Sequence, residues 1–81
     1  MKETLKRLQA MQEMAFEKGV HSFEITARYY DDGEQGFTVA VFLTGDDSEN
    51  DYNHWFIYER TNPKYILMDI ADFVGLEMEE E

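Results

Sequence analysis

Apolar residues in the first eighteen positions recur with the helical period. At 100° per residue, Leu5, Leu8, Met11 and Ala15 form one stripe with Met14 and Phe16 at its margins, while Lys, Glu and Gln fill the other face. The spacing predicts a helix closed by Gly19, which adopts the left-handed C′ conformation without a Cβ clash, with Val20 packing just beyond it. From His21 the period becomes two. Phe23, Ile25, Ala27 and Tyr29 alternate with Ser22, Glu24, Thr26, Arg28 and Tyr30, which predicts a strand. Asp31-Asp32-Gly33-Glu34-Gln35-Gly36 reads as a tight turn whose glycines supply positive φ. A second strand follows, with Phe37, Val39, Val41 and Leu43 on one face and Thr38, Ala40, Phe42 and Thr44 on the other.

Residues 45–53 are polar enough to read as a loop. His54–Tyr58 predicts a third strand, rich in the aromatics that favour sheet. Trp55 and Ile57 oppose His54, Phe56 and Tyr58, and since both sets are apolar the alternation leaves open which one is buried. Thr61 or Asn62 is expected to cap a second helix, with Pro63 in the first turn, where no amide hydrogen is needed. Ile66, Ile70, Phe73 and Val74 make its inward stripe, with Leu67 flanking, and Gly75-Leu76 gives a Schellman ending. The like charges of Glu77, Glu79, Glu80 and Glu81 predict a frayed tail over residues 77–81. The expected fold is therefore α+β: a single two-layer α-β-β-β-α domain over residues 1–76, a three-stranded antiparallel meander with two helices packed on one face.

Eighty-one residues suit one domain. A chain this short buries only about 60% of its unfolded surface. No cysteine is present, so disulfides and thiolate metal sites are excluded, and the core must come from an apolar set that includes 15% aromatics. The missing cysteines and the lack of any long apolar run lead us to expect a cytoplasmic protein with no membrane association.

Net charge is −11 and uneven: +1 over residues 1–18, −7 over 19–60 and −5 over the remainder. Phosphate backbones require clustered Lys and Arg, so direct nucleic-acid binding is not expected. The order helix, three strands, helix nevertheless resembles the double-stranded-RNA-binding domain, which stacks two helices on one face of a three-stranded sheet. That resemblance implies a basic cluster at the start of the second helix and a hairpin loop that enters a minor groove. The corresponding stretches here read Asn62-Pro63-Lys64-Tyr65-Ile66 and Asp31-Asp32-Gly33-Glu34. With one lysine in the first and three acids in the second, the resemblance carries the layout and not the function.

Asp46, Asp47, Glu49, Asp51 and Asn53 form the densest set of oxygen ligands, superficially like a calcium loop. Counted from Asp47, however, the sixth position is Tyr52 where a calcium loop has glycine, and the twelfth is Tyr58 where it has glutamate. His21 and His54 are the only histidines, and Ser22 and Ser48 lie in no nucleophile motif, so neither an enzyme nor a cofactor is expected. The alternative is a calcium-binding module or a small enzyme built on the acidic loop 46–53. More informative is the sheet face opposite the helices. Tyr30, Ala40 and Phe42 gather there, joined from the third strand by Phe56 and Tyr58 or else by Trp55 and Ile57, in place of the polar residues that a solvated face calls for. We therefore expect a non-catalytic acidic interaction module, a homo-oligomer or one docking on another protein through this face. Its partner-facing acids are Asp31, Asp32 and Glu34 in one connection and Asp46, Asp47, Glu49 and Asp51 in the other. A charge of this size also fits a nucleic-acid mimic that occupies the basic groove of a partner.

Overall fold

The computed structural model describes residues 2–45, 51–58, 60 and 62–76. Helix α1 (Lys2–Glu17) leads into strands β1 (Ser22–Tyr29), β2 (Gln35–Phe42) and β3 (Tyr52–Tyr58), and helix α2 (Lys64–Val74) follows. The strands form an antiparallel sheet in the order β1-β2-β3, so β2 is central and β3 is an edge. The element order and the α+β layout are those the hydrophobic period predicts.

Leu8, Met11 and Ala15 of α1 and Leu67, Ile70, Ala71 and Val74 of α2 are buried together with Phe23, Phe37, Val39, Val41 and Ile57 of the sheet. Odd-numbered strand residues thus face the helices, which settles the third strand: Ile57 is buried, and Trp55 stands edge-on to Phe73 with ring centroids 5.6 Å apart. On α2 the stripe is rotated from the expected one. Leu67 and Ala71 are buried, while Ile66 and Phe73 are half-buried margins. The 67, 70, 71, 74 spacing is the i, i+3, i+4, i+7 set; alanine fits where α2 lies close to its neighbours. On β1 the inward set fades after Ile25: Ala27 and Tyr29 are exposed.

Both helix ends close as expected. Val20 N–H donates to Ala15 O at 3.1 Å, and Leu76 N–H donates to Ala71 O at 2.8 Å. Lys18 Nζ donates to Gly75 O, so a cation stands where the two C-terminal ends meet and offsets their negative dipole ends. α2 starts one residue later than expected, with Pro63 at the N-cap position and not in the first turn, and Asn62 Oδ1 just before it accepts the Lys64 N–H at 3.0 Å. Thr61, the other candidate cap, lies outside the described residues, as do the acidic tail 77–81 and Asp46, Asp47 and Glu49.

Two further boundaries differ from the expectation. The turn is shorter: Tyr30 N–H donates to Glu34 O at 2.9 Å and Gly33 N–H to Tyr30 O at 2.8 Å, with Gly33 at φ +82°. Gly36 has no positive φ and belongs to β2, where it is required for a different reason given below. β3 starts at Tyr52 and not at His54, because Tyr52 pairs with Phe42 and their rings stack with centroids 4.4 Å apart. That contact draws two residues of polar-looking sequence into the sheet.

Candidate functional site

The open face of the sheet is built by register. β2 and β3 place Gly36 opposite Tyr58, Thr38 opposite Phe56, Ala40 opposite His54 and Phe42 opposite Tyr52. β1 contributes Ser22, Glu24, Thr26 and Arg28 to the same face. Of the residues expected there, Tyr30, Ala40 and Phe42 are on it, with Phe56 and Tyr58 and not Trp55 and Ile57 from the third strand. Tyr52 and His54 join them; continuing the alternation of β3 back by two residues is the signal that finds Tyr52.

The rings form one continuous row. Tyr30 lies 4.3 Å from Tyr58 and 6.5 Å from Phe56 between centroids; Phe56 meets His54 at 5.3 Å, His54 meets Tyr52 at 5.7 Å, and Tyr52 stacks on Phe42. Tyr52 O–H and His54 Nδ1 are 3.2 Å apart. Cross-strand ring pairs support the sheet themselves. Support alone does not account for the solvent exposure of Phe56, which is 46%.

Tyr30 joins Tyr58 to Phe56 and anchors that end of the row. Its ring crosses the sheet above Gly36, and its hydroxyl donates to Phe37 O at 2.9 Å and lies 3.4 Å from Ile57 O. A side chain at position 36 would occupy the space of that ring, which is why glycine is needed. The Arg28 guanidinium sits 5.6 Å from the Tyr30 ring centroid, a cation–π distance. Arg28, Tyr30, Asp31, Asp32 and Tyr58 line a hollow of about 300 Å³. Because Tyr30 and Tyr58 stack on each other, no gap opens between the rings for a cation or a base.

The acids are not all equally available. Glu34 Oε1 accepts the Arg60 backbone N–H at 3.0 Å, and Oε2 accepts Arg60 Nη2–H at 2.8 Å. The Arg60 guanidinium, and after it the Arg60 backbone N–H, hold the Glu34 carboxyl below the usual glutamate range. Asp32 stands 3.8 Å from the same guanidinium, and its Oδ1 accepts the Glu34 N–H at 2.9 Å. Glu34 therefore ties the hairpin to the chain after β3, and Asp31 and Asp32 are the exposed acids of that connection. At the opposite end of the sheet, the Asp51 carboxylate accepts Thr44 Oγ1–H at 2.9 Å.

Among the described residues no three His, Asp or Glu side chains converge as a metal site would require, and no helix is long and apolar enough to cross a membrane. No protein-family model, curated protein or solved structure matches the chain. The likeness to double-stranded-RNA-binding domains is accordingly one of element order.

Proposed function

We propose that this protein is a non-catalytic interaction module that docks a partner protein through the open face of its sheet. The observation that carries this reading is the row Tyr58-Tyr30-Phe56-His54-Tyr52-Phe42, a line of rings in contact along the solvent side of a sheet whose core lies on the other side. Exposed aromatic patches with polar rims are the usual anchors of protein interfaces. Here the rim is Ser22, Glu24, Thr26 and Arg28 on β1.

The charge of −11 favours a basic partner and acts mainly on its rate of encounter. Mimicry of a nucleic acid calls for acids in rows on one face. The described acids divide among α1 (Glu3, Glu13, Glu17), β1 (Glu24), the hairpin (Asp31, Asp32, Glu34), the residue before β3 (Asp51) and α2 (Asp69, Asp72), a scatter that favours docking on the aromatic row over mimicry.

Affinity capture with wild type and Phe56→Asp tests the reading. A partner retained by wild type and lost by Phe56→Asp, with the melting temperature little changed, is the expected outcome. Equal recovery by both proteins removes the open face as the binding surface. Light scattering on the same pair identifies a second copy as the partner if wild type is a dimer and the variant a monomer.

A further inference from the structure

The two edges of the sheet are managed differently. Along β1, α1 packs beside the strand and Gln12 Nε2 donates to Phe23 O at 2.7 Å. Along β3, Leu43 N–H donates to Asp51 O at 2.7 Å, in register with the Phe42–Tyr52 pair. Antiparallel alternation then turns the backbone groups of Tyr52, His54 and Phe56 away from β2, towards the outside. His54 N–H is met by Asn53 Oδ1 at 2.9 Å, itself a sign that this N–H points off the ladder.

Edges of this kind are normally blunted by a charged residue, a proline or a bulge. Tyr52–Tyr58 contains no Lys, Arg, Asp, Glu or Pro, and it pairs with β2 residue for residue, without a bulge. Charge lies at its ends instead. Asp51 immediately precedes the strand, and no Lys or Arg occurs between Arg28 and Arg60. At the other end Asp31 and Asp32 share a hollow with Tyr58 and Arg28, and Arg60 is engaged by Glu34 and stands 3.8 Å from Asp32, so that three acids outweigh two cations there.

A second copy brought to this edge would set one charge of −11 against another. A neutral edge between acidic ends is complementary to an extended segment with a neutral centre and Lys or Arg at both ends. We propose that β3 receives such a basic segment of a partner protein as a fourth strand of the sheet. The proposal rests on the interaction-module reading and names its partner. Seven residues give about 24 Å of edge at roughly 3.4 Å per residue. Backbone pairing supplies the affinity, and the aromatic row meets the alternate side chains of the incoming strand that lie on its face.

The test uses the full chain and three capped peptides. The first is Lys-Arg-Thr-Val-Thr-Val-Thr-Arg-Lys; the second is the same peptide N-methylated at alternate central residues; the third has Glu in place of every Lys and Arg. Each is titrated by NMR, and amide exchange is followed with and without peptide. Saturable binding of the first peptide is expected, with exchange at the Tyr52 and Phe56 amides slowed about tenfold or more. The other two peptides are expected to bind at least about tenfold more weakly. Equal binding of the N-methylated peptide, protection along β1 in place of β3, or no saturation by about 1 mM of the first peptide overturns the proposal. Concentration-dependent protection of the same amides without peptide assigns the edge to a second copy and also overturns it. Failure here while Phe56→Asp still abolishes capture removes strand pairing and leaves docking on the face; capture that survives Phe56→Asp removes the docking itself.

Discussion

Adding a single methyl group at Gly36 probes the anchoring of the aromatic row. In Gly36→Ala the new Cβ would stand 2.5 Å from Tyr30 Cε2 and press on the Ile57 carbonyl oxygen, contacts that real Cβ atoms essentially never show. The backbone at Gly36 lies outside the left-handed region, so the strain is one of contact and not of dihedral angle. Ile57 O belongs to the backbone of the β2–β3 ladder and yields only if that end of the ladder opens. The Tyr30 ring can swing away, but it then loses its stacking on Tyr58, worth about 0.5–1.5 kcal/mol. It also loses the hydroxyl hydrogen bond to Phe37 O, worth a further ~0.5–1.5 kcal/mol. With local distortion of the ladder, the expected loss is about 2–4 kcal/mol, a large part of a stability on the order of 5 kcal/mol. Urea unfolding followed by the fluorescence of Trp55, the single tryptophan, measures it directly. Tyr30→Phe is the reference, because it keeps the ring and removes only the hydroxyl, at a cost of about 1 kcal/mol. Gly36→Ala within about 0.5 kcal/mol of wild type, the range of an ordinary surface change, would refute the reasoning.

Thr38→Val is expected to raise stability by about 1 kcal/mol, since Thr38 Oγ1 is buried with no hydrogen-bond partner and valine keeps the shape; thermal unfolding checks this, and a fall in melting temperature would show that the hydroxyl is satisfied. Glu34→Gln is expected to be less stable than wild type at neutral pH. The folded-state pKa of Glu34 is held below its unfolded value, so its contribution is present above the unfolded value and disappears as pH falls through the folded one. Urea unfolding from pH 7 downward should show the two proteins converging below the ordinary glutamate pKa of about 4.3; a constant difference across that window would rule out the Arg60 pairing as its source.

Periodicity carries most of the fold because it reports on residues that must lie on one side of an element. Leu8, Met11 and Ala15 could share a face only in a helix, and Val39 and Val41 only in a strand. The helix ends were legible for the same local reason: Gly19 and Gly75 adopt positive φ, which few other residues tolerate. Where both faces of an element are apolar, the pattern has no preferred side. In His54-Trp55-Phe56-Ile57-Tyr58 either set could be buried, and the choice falls to Trp55 and Ile57 because β2 commits Val39 and Val41 to the helices and register carries that side across.

The candidate surface divides in the same way. Local sequence was enough to place Ala40 with Phe42 on one side of β2 and Phe56 with Tyr58 on one side of β3, since parity along a strand is a property of the chain itself; that the two sides are the same one came from register. Local sequence was not enough for Tyr52, whose polar neighbours masked it until Phe42 became its cross-strand partner, nor for Gly36, whose role depends on a ring six residues earlier folding back across it. The pairing of Glu34 with Arg60 joins residues 26 apart. Sequence by itself thus determined the elements, their order and the acidity of the connections, all of which follow from neighbours along the chain. Only the tertiary structure decided which face of β3 is solvent-exposed, which acids are spent on Arg60 and that the rings touch in a row, because these depend on strands meeting in register.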